Sequence, residues 1–164
     1  FDRERHVLLP HQLPLKIKSK NLKKYFFDKQ FGGVLISDSE IYFDIDKNKK
    51  IFTITQIEPT DWVLFSGVNL SDWTVNFIGT KNNLILNTDA QRFNYNGMTG
   101  CLNFYNSTFE NTSISASDGR CEDSINIINS TGKISVINVK DSFSDAVDFD
   151  FSKRIIFFNF KCNY

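Results

Sequence analysis

Proline is nearly absent from this 164-residue chain, which has only Pro10, Pro14 and Pro59. Proline removes a ladder donor and is confined to the edges and bulges of sheets. Nothing after residue 59 therefore forbids continuous strand ladders. Histidine is as scarce, with His6 and His11 alone, so neither a nucleophile triad nor a His-rich zinc site is expected further along. The three cysteines, Cys101, Cys121 and Cys162, contain no Cys-x-x-Cys pair, which removes the usual thiolate spacing for zinc. No apolar run approaches the length of a membrane span.

An excess of either charge is also lacking, with 19 Lys/Arg against 19 Asp/Glu. The charge is split along the chain. Residues 1–50 hold 11 basic and 7 acidic side chains, and residues 51–164 hold 8 and 12. The basic part concentrates in Lys16, Lys18, Lys20, Lys23, Lys24 and Lys29. It reads as a solvated face of a first strand and a short amphipathic segment; the functional reading would be contact with an acidic polymer. Nucleic acid is not expected as a partner, because the aromatics follow strand-interior spacing and form no basic stacking platform. Phe1 is not an initiator, no signal-peptide pattern precedes it, and Tyr164 follows directly on a strong strand. Both ends look cut, so further coils or domains are expected beyond Tyr164.

What the chain does have is phenylalanine, 17 residues of it, and a repeat. Leu102-Asn103-Phe104-Tyr105-Asn106-Ser107 is answered by Ile125-Asn126-Ile127-Ile128-Asn129-Ser130 and by Val147-Asp148-Phe149-Asp150-Phe151-Ser152, at spacings of 23 and 22 residues. A second strand follows each: Thr112–Ala116, Ile134–Val139 and Ile155–Phe160. Self-similarity at such a period marks a stacked array. With short strands and no helical pattern between them, it predicts an all-β, right-handed parallel β-helix of about 22–23 residues per coil. Alternate side chains face opposite sides of a strand, so Leu102, Phe104, Ile125, Ile127, Val147, Phe149 and Phe151 should point inward, stacked at about 4.8 Å between rungs. Asn103, Asn126 and Asp148 should line up outside. Asn106 and Asn129 fall at a corner, where Asn tolerates left-handed backbone and stacked amides can bond. These asparagines are expected to form structural ladders. Cys101 and Cys121 flank one coil and could meet on adjacent rungs, either as a disulfide or as an inward-packed pair of thiols.

Earlier in the chain the pattern is less regular. Residues 1–33 are expected to be an N-terminal extension or cap, and residues 34–164 the β-helix. Leu15–Lys18 alternates like a strand, while Leu22, Tyr25 and Phe26 at helical spacing predict a short helix over Asn21–Gln30. Further strands are expected at Val34–Ile36, Ile41–Ile45, Ile51–Ile57, Trp62–Phe65, Trp73–Ile78 and Leu84–Leu86.

The turn Phe77-Ile78-Gly79-Thr80-Lys81-Asn82-Asn83-Leu84-Ile85-Leu86 resembles the Gly-Thr turn of the pectin-lyase-like right-handed β-helix superfamily, with Leu84 where proline is common. The runs Gly100–Ser107, Cys121–Ser124 and Ser144–Ser152 resemble β-helix segments of bacterial surface or secreted proteins, some joined to spore-coat-H-like domains. The resemblance spans roughly residues 60–164 and implies a secreted or cell-surface setting. It implies a fold far more than an activity, since the superfamily holds lyases, hydrolases, adhesins and silent modules.

The best candidate for chemistry is the acidic set Asp123, Asp145, Asp148 and Asp150. Asp145 lies one coil after Asp123. Asp148 and Asp150 are two apart on one strand, about 6.6 Å at strand rise, the low end for an inverting glycosidase pair. An oxygen-rich cluster of this kind suits Ca²⁺. The resemblance implies a pectate-lyase-like Ca²⁺ with an arginine base, for which Arg154 is the nearby residue; the polygalacturonase-type Gly-His-Gly is missing. The plainer reading is a solvated strand face. Tyr105 and Trp73, with Trp62 and Tyr95, are candidates for a sugar platform, although most such rings are expected in the interior. The Asn-x-Ser/Thr sites at Asn69, Asn106, Asn111 and Asn129 matter only in a eukaryotic secretory setting. The expected function is a non-catalytic surface or secreted module, structural or carbohydrate-binding, within a longer protein. The alternative is a polysaccharide lyase or hydrolase completed by later coils.

Overall fold

A computed structural model describes residues 23–27, 31–37, 41–57, 62–80 and 98–163. Among them there is no helix. Thirteen strands run in order: β1 (Lys23–Phe26), β2 (Val34–Ser37), β3 (Tyr42–Asp46), β4 (Ile51–Thr55), β5 (Val63–Ser66), β6 (Asn69–Ser71), β7 (Thr74–Ile78), β8 (Gly100–Tyr105), β9 (Thr108–Ser117), β10 (Asp123–Ile128), β11 (Thr131–Lys140), β12 (Asp145–Asp150) and β13 (Ile155–Asn163). One sheet has the order β1-β2-β5-β8-β10-β12 and the other β13-β11-β9-β7-β4-β3, with β6 on the first part of β9. Each parallel neighbour is reached only after the chain has crossed to the other sheet and back. That path is a parallel β-helix, a solenoid of about four turns.

The register is the one the repeat predicts. Leu102 pairs with Ile125 and Ile125 with Val147; Phe104 pairs with Ile127 and Ile127 with Phe149. Inward residues of successive rungs stack into one core, in which Phe65 lies flat on Phe104 at 5.2 Å between ring centres. Parallel stacking begins at β4 and β5. The strands before them, β1, β2 and β3, attach antiparallel.

Sequence spacing misleads at three places. Residues 23–26 of the expected helix form strand β1. Period two wins there: Tyr25 and Phe27 turn inward onto Phe43 and Phe31, while Lys24 and Phe26 face out, and β2 supplies the backbone partners. Phe151 is not in the inner row. The strand ends at Asp150, and Phe151 takes the corner with φ 51° and stays exposed. Asn103 and Asn126 point to the outer side but not to water, being 0% and 1% exposed. A second small core of Ile36, Trp62, Leu64, Met98, Tyr105 and Ile128 covers that side of the sheet. Strand β6 has no counterpart in the sequence reading. Leu15–Lys18, Leu84–Leu86 and Tyr95 lie outside the described residues.

Each bend has its own polar column. After the first sheet, Asn106 (φ 52°), Asn129 (φ 46°) and Phe151 stand in register. Within the second sheet, Asp72 (φ 59°) and Asn111 (φ 51°) do the same, with Lys50 (φ 53°) opposite Trp73 one residue on, and Asp118 (φ 58°) and Asp141 (φ 53°) mark the return. Asn and Asp accept this left-handed backbone better than other residues with a side chain. Cys101 and Cys121 are joined by a disulfide with their Cα atoms 5.3 Å apart, while Cys162 is free. No helix of the described residues is long and apolar enough to cross a membrane.

Candidate functional site

Strands β10 and β12 bring the acidic set together on the outer side of the first sheet. Asp123 pairs with Asp145, Asn126 with Asp148 and Ile128 with Asp150. The four carboxylates do not share one environment. Asp145 is exposed, Asp148 and Asp150 are half-buried, and Asp123 is only 3% exposed. Burial pushes the Asp123 carboxyl up to about 7, against a stabilising hydrogen bond from Thr99; the charges of Asp148, Glu122 and Asp145 push it further in the same direction. Asp123 thus holds its proton in mildly acidic water. Asp148 is tied down by its neighbour, accepting the Phe149 N–H at 2.8 Å. Asp150 accepts from the Asn126 amide at 3.3 Å.

Among the described residues, no three His, Cys, Asp or Glu side chains gather closely enough to hold a metal ion. Three of the carboxylates follow the rung register of β12, and Asp123 sits one rung below Asp145; Ca²⁺ takes six to eight oxygens converging on one point. Arg154, the arginine the resemblance points to, occupies the exposed corner between β12 and β13 with φ 59°.

The aromatic candidates are placed mostly inside. Tyr105 and Trp62 belong to the small outer core. Trp73 is half-buried and meets Phe31 edge-on at 4.9 Å. Tyr105 and Trp62, 6% and 1% exposed, present no free ring face of the kind a sugar platform uses.

The asparagines make ladders. The Asn103 amide donates to Val63 O at 3.0 Å and Gly100 O at 2.6 Å, and its oxygen accepts from Gly100 N at 3.1 Å. Asn103 therefore fastens its own strand entry and the rung below. Asn126, one rung on, donates to Thr99 Oγ1 as well as Asp150, while its oxygen is buried with no hydrogen-bond partner. At the corner, Asn129 donates to Asn106. In the second sheet Asn111 donates to Asp72 at 2.8 Å and accepts from Ser135. Asp72 also meets the Lys50 ammonium at 3.4 Å, and these donors, Asn111 foremost, hold its carboxyl below the usual range.

Two sets of contributors carry no role in the sequence reading. Thr99 bridges Asp123 and Asn126, and only the fold reveals it. Ser107, Ser130 and Ser152 form a column beside the asparagines: Ser130 Oγ accepts from Ser107 N at 3.0 Å and Ser152 Oγ from Ser130 N at 3.2 Å. Their signal is in the repeat, since each closes one hexamer at the 23- and 22-residue spacing.

The fold and these columns define the class: a parallel β-helix with self-bonded outer faces. No protein-family model, no curated protein and no solved structure matches the chain.

Proposed function

We propose that this chain is a non-catalytic, structural β-helix module of the pectin-lyase-like kind, acting as part of a secreted or cell-surface protein. The observation that carries this reading is where the polar groups of the repeat spend their hydrogen bonds. Asn103, Asn106, Asn129, Asn111 and the Ser107–Ser130–Ser152 column bond to neighbouring rungs. A recognition surface instead leaves its polar groups free to meet a ligand. The secreted or surface setting is supported by the Cys101–Cys121 bond, since such bonds persist in oxidising compartments.

The test is binding and turnover together. Uronate-rich and neutral polysaccharides are offered to the whole chain with and without millimolar Ca²⁺, reading affinity electrophoresis, melting temperature and release of unsaturated product. The structural reading expects no retardation, no Ca²⁺-dependent rise in melting temperature and no product. Saturable binding that is lost in Asp148→Asn/Asp150→Asn would replace it with the carbohydrate-binding reading, and product release with the lyase reading.

A further inference from the structure

The side-chain closure made in β8 lacks a donor one rung on, in β10. In β8, Asn103 closes on the residue three places before it: its oxygen accepts from Gly100 N at 3.1 Å and its amide donates to Gly100 O at 2.6 Å. The register sets Asn126 on Asn103 and Asp123 on Gly100, so the same closure would run from Asn126 to Asp123. The backbone donor is already used there, because Asp123 N–H donates to Thr99 O at 3.1 Å. Asn126, 1% exposed, is left with a buried oxygen that no hydrogen bond reaches. A buried acceptor in that state is costly.

A carboxyl with the opposite need lies close by. Thr99 Oγ1 accepts from Asn126 Nδ2, and the same hydroxyl donates to the Asp123 carboxyl. Two groups bonded to one oxygen lie within two hydrogen-bond lengths of each other, roughly 6 Å at most between the bonded atoms. Asp123 is 3% exposed, and the charged groups that act on it are all acidic: Glu122 beside it in sequence, and Asp145 and Asp148 on β12. Asp150, also on β12, accepts from the Asn126 amide at 3.3 Å, while Arg120 lies over the Phe143 ring. Burial keeps the Asp123 carboxyl neutral up to about pH 7, and a neutral carboxyl carries one hydrogen to donate.

We propose that Asp123 donates its proton to Asn126 Oδ1, closing a ring of three hydrogen bonds in which Thr99 donates to Asp123, Asp123 to Asn126 and Asn126 to Thr99. One proton then neutralises the buried carboxyl and satisfies the buried amide oxygen, and each bond of the ring polarises the next. The ring ties the entry of β8 to β10 and, through the other Asn126 N–H, to Asp150 on β12. It is also a pH switch. Ionisation removes the donor and sets a carboxylate against the Asn126 oxygen, with Glu122, Asp145 and Asp148 adding repulsion. The joint between the three rungs is therefore locked below neutral pH and loosens as pH rises through it. This device is independent of whether the module is structural or binds a ligand elsewhere.

Carbon-detected NMR of the carboxyl groups of the whole chain, titrated across the ordinary and the raised range, tests the ring. Asp123 is expected to titrate near neutral. Asn126→Ala should lower that midpoint by about one pH unit, the scale of one hydrogen bond, because the neutral form loses its acceptor. Thr99→Val should raise it, because the ionised form loses its donor; entry of solvent alone would lower it in both variants. Hydrogen exchange of the Asn126 side-chain amide, corrected for its intrinsic rate, should be slow below neutral pH and fast above it. In Asp123→Asn it should be slow on both sides, since the new amide donates at every pH. Should Asn126→Ala fail to fold, this exchange comparison decides. The ring would be overturned by an Asp123 midpoint near 3.8, by one that Asn126→Ala leaves unmoved or raises or that Thr99→Val lowers, or by wild-type exchange that ignores pH.

Discussion

Phe151 is where a single residue departs from the coil's rule. Its column otherwise holds Asn106 and Asn129, and all three have left-handed backbone. A side chain other than Gly, Asn or Asp costs roughly 1–2 kcal/mol there, and Phe151, 38% exposed, recovers little by burial. Phe151→Asn is expected to raise the unfolding free energy by about 1 kcal/mol, read from the urea midpoint, by relieving that backbone and extending the amide column over Asn129. Asp123 supplies the residue-scale pH dependence. Its folded value, about 7, lies above its ordinary 3.8, so the folded chain binds the extra proton between those limits. The stabilisation is complete below the unfolded value and is lost as pH rises through 7, a change of about 4 kcal/mol. Asp123→Asn should flatten that part of the stability–pH curve and gain most over wild type near pH 8. Parallel curves for the two proteins would show that the carboxyl ionises freely.

At the scale of a strand, the inner face is legible in the sequence and the outer face only half so. The inner row is written in alternation, as Leu102–Phe104, Ile125–Ile127 and Val147–Phe149 show, because burial on one side of a strand imposes period two. Ile127→Asp should therefore cost more than about 4 kcal/mol, a buried charge without a partner, whereas Ser113→Asp on the outer side of β9 should cost under about 1 kcal/mol; equal losses in thermal melts would mean the faces are misassigned. The outer face of β8 and β10 reads as polar because it is Asn. Its burial depends on Ile36, Trp62 and Leu64 arriving from earlier in the chain, and alternation within a strand carries no information about what covers it. For the same reason the acidic set could be placed in register from the repeat, but the separate environments of Asp123 and Asp145 could not. The strand at Lys23–Phe26 shows the converse: four residues suit either period, and pairing with β2 decides between them.

Over the whole molecule, stability comes from each rung bonding the next, as expected of a solenoid. The Cys101–Cys121 bond closes a separation of 20 residues across successive coils, and a loop of that size contributes about 3 kcal/mol. Replacing both cysteines by serine should lower the denaturation midpoint accordingly without changing the circular dichroism of the folded chain; loss of the strand signal in that variant would make the bond a requirement for folding. The outer amides act as rung-to-rung fasteners, and Asn103, with three hydrogen bonds, is the most engaged of them. The most direct measurement is the urea unfolding free energy of Asn103→Ala. The expected result is a loss of about 3 kcal/mol, because the buried Gly100 N–H, Gly100 carbonyl and Val63 carbonyl lose their side-chain partner together. Stability unchanged or increased by the substitution would contradict it and mark Asn103 as a residue kept for something other than the fold.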